Sequence, residues 1–237
     1  VGSARATIAL VIWFLGELAD NPEALLAVFA AVCVALVTGI AFHEFSHAWT
    51  AYELGDPTAA RHGRLTLNPL AHLDPLGTVL LFLVGFGWGK PTPVNPYNLR
   101  NGPRRGNALV ALAGPLSNFF FAALAAIPIR MGWVSIVPSL SRIDEASGND
   151  ILGLFLFYIV LFNVILGIFN LIPIHPLDGF KVALGVLPAD LARELQKLAP
   201  WGPGILMLLI VLGWLTPYNP LGAIIGGLGS EILELLL

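Results

Sequence analysis

The chain has 237 residues, 57% of them hydrophobic and 11% charged, with a formal net charge of −3 at pH 7. A soluble domain carries about 25% charged residues, so this composition points to a polytopic membrane protein of one compact domain spanning 1–237. The small net charge and scattered bases argue against nucleic acid as a partner, and a single cysteine, Cys33, cannot form an intrachain disulfide.

A spanning helix needs about 20 mostly apolar residues. Six apolar segments qualify or nearly qualify, at 5–19, 23–52, 107–131, 150–172, 202–216 and 219–237. The first and fifth are short enough to be tilted, half-buried or re-entrant. The predicted fold is therefore all-α and polytopic, with about six transmembrane or re-entrant helices. The catalytic core is expected at about 23–180, flanked by helices in 5–19 and 202–237. The second segment is long, and its end turns polar before Gly55 and Pro57, which serve as stop signals.

Charge sets the orientation. The 53–106 connection holds Arg61, Arg64, Lys90, Arg100, Arg104 and Arg105, and the 173–201 connection holds Lys181, Arg193 and Lys197. The 20–23 turn has no base, and in 132–149 a single Arg142 faces Asp144 and Glu145. The positive-inside rule then places both basic connections in the cytoplasm. Within the first of them, 76–89 is apolar but broken by glycines, which fits a re-entrant or interfacial element. Lys90-Pro91-Thr92-Pro93-Val94-Asn95-Pro96 follows. Its prolines disfavour helix and cannot donate in a sheet ladder, so a short β-like, extended edge is predicted between the second and third segments. Such an edge could pair with a substrate backbone through Thr92, Pro93, Val94 and Asn95.

At the polar end of the second segment stands His43-Glu44-Phe45-Ser46-His47. Residues four apart share a helix face, so His43 and His47 can bind one metal ion, with Glu44 beside them as general base. Ionisable groups in a membrane helix are costly and usually functional. A catalytic zinc needs a third protein ligand and an open position. The best candidate is Asp178, in Asn170-Leu171-Ile172-Pro173-Ile174-His175-Pro176-Leu177-Asp178-Gly179, although a carboxylate just past a helix end also suits a local Asx turn. Zinc is the default ion for two imidazoles and a carboxylate.

The HExxH at 43–47, together with Asn170-x-x-Pro173-x-x-Pro176-Leu177-Asp178-Gly179, resembles the site-2 protease family of intramembrane zinc proteases. Gly114-Pro115-Leu116-Ser117-Asn118 looks like that family's GPxxN element. Leu67–Gly77 and Lys90–Asn101 resemble the connection of its compact bacterial branch, with no insertion large enough for a PDZ domain. The resemblance covers nearly the whole chain. It implies one Zn2+ held by His43, His47 and Asp178, with Glu44 as base. Asn170 would orient or polarise the scissile carbonyl, and Asn118 is a further candidate substrate contact; for both, a structural hydrogen bond is the alternative. It also implies a transmembrane protein or peptide substrate, a multi-pass location in the bacterial cytoplasmic membrane, and roles such as regulated intramembrane proteolysis or signal-peptide remnant clearance. The chain departs from the family at His175, where the family has Pro. His175 is expected near the site or at the surface, with a fourth zinc ligand as the other option. His62 and His72 read as loop-structuring. A membrane metal transporter or sensor built on the same His and Asp cluster is the competing reading. The oligomeric state and the physiological substrate are not encoded legibly.

Overall fold

The computed structural model describes residues 22–84, 87–135 and 147–237; the apolar segment at 5–19 lies outside them. The described residues form α1 (Pro22–Glu53), α2 (Thr58–Arg61), α3 (Pro75–Val84), α4 (Gly102–Arg130), α5 (Gly148–Leu171), α6 (Asp178–Val186), α7 (Ala189–Lys197), α8 (Gly202–Leu215) and α9 (Pro220–Leu236), with 3-10 turns at Pro69–Ala71, Pro96–Asn98 and Ala199–Trp201. The all-α fold is as the sequence predicts. Among the described residues four stretches are long and apolar enough to cross a membrane, Leu25–Glu53, Gly102–Arg130, Gly148–Leu171 and Ala189–Gly213; the expected six transmembrane or re-entrant helices include the segment at 5–19, outside those residues. At 17 residues, α9 is about 25 Å long, short of the roughly 30 Å hydrocarbon core.

α1 ends where its stop signals lie. The Gly55 N–H bonds to the Tyr52 carbonyl and the Asp56 N–H to the Ala51 carbonyl, a Schellman closure that requires a left-handed residue. Gly55 supplies it with φ +101°.

Among its described residues, the connection from α1 to α4 holds no sheet. Its β-like content is a lone antiparallel bridge between Leu73 and Gly89, extended by a 2.7 Å bond from the Lys90 N–H to the His72 carbonyl. Between these residues lies α3, capped by Asp74, whose Oδ1 accepts from the Gly77 N–H at 2.9 Å. Ten residues of helix reach only about 15 Å, too little to span. The expectation of a β-like piece is thus narrowed to one bridge and the non-helical run 90–95, which ends in extended backbone at Asn95 (φ −98°, ψ 101°). His72 is fully buried, and its Nε2 bonds to the Thr66 carbonyl at 2.7 Å.

Contacts divide the chain into two compact units, one made of Val37–Phe121 and Leu166–Leu206 and the other of the remaining described residues. In the first, Ala41, Ala48, Ala51, Ala108 and Ala111 are buried. Small residues let membrane helices approach closely: a Cβ on Gly185 of α6 would meet the Ala108 Cβ of α4 at 2.2 Å. The Arg104 guanidinium ties the same two helices by donating to the Leu184 and Leu187 carbonyls. In the second unit, Val28, Ala31, Ala35, Ala122, Ala126, Leu154, Val160 and Val164 are buried, while Leu26, Phe29, Leu124, Met207 and Leu208 are exposed. Apolar side chains facing outward are the surface that a lipid environment selects.

Candidate metal centre

Every residue of the candidate centre lies in the first unit. His43 and His47 sit one turn apart on α1, and Asp178 opens α6. Their ligand atoms form a triangle: His43 Nε2 to His47 Nε2, His43 Nε2 to Asp178 Oδ2, and His47 Nε2 to Asp178 Oδ2 are each 3.0 Å. The residues are 7%, 6% and 6% exposed. Two imidazole nitrogens and a carboxylate oxygen at about 2.0–2.2 Å from one zinc ion lie roughly 3–3.5 Å from each other, which is the size of this triangle.

Hydrogen bonds behind the rings test the fit. The Nδ1–H of His43 donates to Asn118 Oδ1 at 2.7 Å, and the Nδ1–H of His47 donates to the Val110 carbonyl at 2.7 Å. These tautomers follow from the acceptors. A neutral imidazole protonated at Nδ1 carries its lone pair on Nε2. Three lone-pair atoms therefore converge in a buried spot, an arrangement that repels itself without a cation and suits a metal ion well. Burial alone would push the Asp178 carboxyl up. Protonated His47 and His43 would outweigh it and hold the group well below the usual carboxylate range; with both rings neutral, a bound cation takes over that role.

Several residues position this set. The Asn118 amide is fixed at its other end by donating to the Gly39 carbonyl at 3.1 Å. With no exposed surface, Asn118 stands behind the His43 ring. Asn118, expected as a substrate contact or in a structural hydrogen bond, thus has its Oδ1 on His43 and its Nδ2 on Gly39. Gly114 lets α4 pass directly over the rings: a Cβ there would lie 2.5 Å from His47 Cε1 and Nε2 and 2.7 Å from His43 Cε1. Gly179 lets the start of α6 close onto the end of α5, since a Cβ would meet the Leu171 carbonyl oxygen at 2.1 Å. Lys181 takes the other oxygen of Asp178, Nζ to Oδ1 3.2 Å, leaving Oδ2 turned to the histidines.

Glu44 is held from the run 90–95. Its Oε2 accepts from the Thr92 N–H at 2.9 Å and from the Thr92 hydroxyl at 2.7 Å. Further along, Asp56 is fully buried and accepts from the Asn95 N–H at 2.7 Å, from Asn98 Nδ2 at 2.9 Å, and from the Thr58 N–H and hydroxyl. Burial pushes the Asp56 carboxyl up, but those donors prevail and hold it below its ordinary value. Val94 packs on Ala51, Leu99 and Val110. The run 92–95 is thus fastened at three points, to α1 and to Asp56 just past its end. Pro93 is partly exposed and Asn95 exposed.

Two predicted site residues are not brought into the triangle. Asn170 donates Nδ2 to the Leu166 carbonyl of its own helix at 3.0 Å. His175 packs its ring edge-on against Phe180, centroids 5.5 Å apart, and the metal-capable cluster consists of His43, His47 and Asp178 without it. His62 bonds through Nδ1 to the Thr58 carbonyl at 2.8 Å, a loop role. Sequence reasoning missed Lys181, Val110 and Asp56. Lys181 had a faint signal, its i+3 spacing from Asp178 on a helix. The other two depend on tertiary packing.

Comparison with known proteins agrees with this geometry. The family model for peptidase family M50 matches residues 31–210. A Bacillus subtilis (strain 168) protein named "Putative zinc metalloprotease YwhC" is 35% identical over 178 residues, covering 75% of this chain and 78% of that protein. Proteins named "Putative zinc metalloprotease Rip2" are 30% identical, over 195 residues in Mycolicibacterium smegmatis (81% of this chain, 70% of that protein) and over 207 residues in Mycobacterium tuberculosis strain H37Rv (84% and 72%). No solved structure matches the chain. With the family model spanning most of its length and the ligand triangle in place, the chain belongs to peptidase family M50, the site-2 protease family, and is a site-2-protease-like metalloendopeptidase.

Proposed function

We propose that this protein is an intramembrane zinc endopeptidase that hydrolyses peptide bonds within or near transmembrane segments of membrane proteins. One observation carries the reading: three buried lone-pair donors, His43 Nε2, His47 Nε2 and Asp178 Oδ2, converge at 3.0 Å beside a carboxylate, on a helix apolar enough to cross a membrane.

His43, His47 and Asp178 hold the zinc in this account. When bound, zinc supplies Lewis-acid polarisation to water and to the scissile carbonyl. Glu44 takes the proton of the attacking water and returns it to the leaving amine. Its Oε2 is occupied by Thr92, so Oε1 does this work. A peptide bond inside a helix is already hydrogen-bonded and shielded, so the substrate must unwind. The non-helical run 92–95 offers a main-chain edge for the unwound strand. The Asn170 Nδ2 group carries two protons; one is donated to the Leu166 carbonyl, and the other is the donor for the substrate carbonyl. The basic connections 53–106 and 173–201 support a site facing the cytoplasm of a bacterial cell membrane, in regulated proteolysis or in clearing signal-peptide remnants.

The test is Glu44→Gln in purified protein with a model transmembrane peptide. General acid–base catalysis contributes about 10²–10⁴-fold, so cleavage should fall by at least that range while zinc stays at one ion per chain. Sealed vesicles of known orientation, in the same assay, read the side on which the fragment emerges. A Glu44→Gln protein that cleaves normally would remove the general-base role of Glu44, and a wild type that binds zinc and cleaves nothing would turn the reading toward a metal transporter or sensor.

A further inference from the structure

Glu44 does not stand free beside the metal ligands. One of its oxygens, Oε2, receives two donors from a single residue of another segment: the Thr92 N–H at 2.9 Å and the Thr92 Oγ1–H at 2.7 Å. The hydroxyl also lies 3.1 Å from the Glu44 main-chain carbonyl, but it has one proton, and the shorter contact is to the carboxylate.

The sequence around this donor pair is unusual. Pro91 and Pro93 flank Thr92. Neither has an N–H, and each restricts the backbone: Pro91 through its own fixed φ, Pro93 by driving the preceding residue into extended conformation. The single N–H in this tripeptide and its single hydroxyl are thereby presented together, in one geometry, with little freedom left to lose. The run is also anchored downstream, where Asp56 takes the Asn95 N–H and Asn98 Nδ2 and Val94 packs on Ala51, Leu99 and Val110. Val110 is itself the residue whose carbonyl holds His47. A rigid segment braced at several points, aiming two donors at one carboxylate oxygen, is what orienting a base requires. Proton transfer depends on placement at hydrogen-bond reach, and misplacement of about 1 Å can cost roughly 10²-fold.

We propose that Thr92 is the positioning residue of the general base: it locks Glu44 through Oε2, turns Oε1 to the water, and joins the base to the segment on which the substrate strand lies. The inference rests on the function proposed above and deepens it. Thr92 then serves Glu44 first. Its N–H is already committed, so it donates nothing to a substrate, and its contribution falls on kcat rather than on KM.

The experiment measures kcat, KM and zinc content for wild type, Thr92→Ser, Thr92→Val and Glu44→Gln on one model transmembrane peptide. Thr92→Val keeps shape and loses the hydroxyl donor. It should lower kcat by roughly 10- to 100-fold, leave KM within about threefold, and keep one zinc per chain. Thr92→Ser should restore kcat to within about threefold of wild type. If Thr92→Val does not retain zinc, Thr92→Ala, which also keeps the N–H and drops the hydroxyl, is judged by the same figures. Wild-type kcat in the variant lacking the hydroxyl overturns the inference, as does a loss confined to KM. A Thr92→Ser protein as impaired as Thr92→Val overturns it too, since the methyl rather than the hydroxyl would then matter. Glu44→Gln separates the two levels. An inactive Glu44→Gln beside an unaffected Thr92→Val ends only the positioning role, an active Glu44→Gln ends the general-base role on which it rests, and a wild type that cleaves nothing ends the proposed function itself.

Discussion

At Gly114 two effects of an added methyl oppose each other. Alanine favours a helix over glycine by about 1 kcal/mol. A Cβ here, however, would stand 2.5 Å from the His47 ring and 2.7 Å from that of His43, and overpacking costs about 1–3 kcal/mol. The rings cannot yield cheaply, because Asn118 and Val110 hold their Nδ1 atoms at 2.7 Å. Gly114→Ala should therefore weaken zinc affinity by roughly 10- to 100-fold, the scale on which ligand-orienting interactions act, as read by chelator competition; unchanged affinity would show that the rings have room. The three ligands were readable because their chemistry is local: a histidine pair at i and i+4, and a carboxylate beside helix-ending prolines. Gly114 was visible as part of a motif but without its reason, and for Asn118 a substrate contact and a structural hydrogen bond were both open. What distinguishes either role is a contact between distant segments, such as the His43–Asn118 bond across 75 residues.

The non-helical run 90–95 is the element on which substrate handling rests. The proline spacing made it legible as non-helical, but the sequence did not say that its donors are largely spent. The Thr92 N–H goes to Glu44 and the Asn95 N–H to Asp56, and Pro91 and Pro93 have none. Among residues 91–95 this leaves the Val94 N–H as the donor able to meet a substrate strand. Val94→Pro removes it. Its side chain also packs on Ala51, Leu99 and Val110, so Val94→Ala is the control for lost packing. Cleavage of a helical transmembrane peptide should drop about tenfold or more in Val94→Pro, in line with one lost main-chain bond of about 1.5 kcal/mol, and clearly less in Val94→Ala. Equal losses in the two variants would assign the effect to packing and remove the strand-pairing role. α3 was the element sequence reading underspecified. Its glycines looked like breakers, yet Gly77 sits inside the helix because a Cβ would lie 2.1 Å from the Trp88 carbonyl oxygen.

For the molecule as a whole, composition alone identified a membrane protein of helices, since 11% charged residues cannot clothe a soluble surface of this size. The number of spans was less legible: 17-residue α9 and the amphipathic start of the Ala189–Gly213 stretch fall on either side of a length rule. The long α1 brings the HExxH turn into the same unit as the opening of α6, so residues 131–135 positions apart become neighbours. The most direct measurement of that convergence is zinc stoichiometry and affinity, with X-ray absorption at the metal edge, for wild type and Asp178→Ala. The account predicts one zinc per chain in a nitrogen and oxygen shell at about 2.0–2.2 Å, and its loss, or a fall in affinity of at least 100-fold, in Asp178→Ala. A wild type that binds no zinc, or an Asp178→Ala protein that binds it undiminished, would contradict the account.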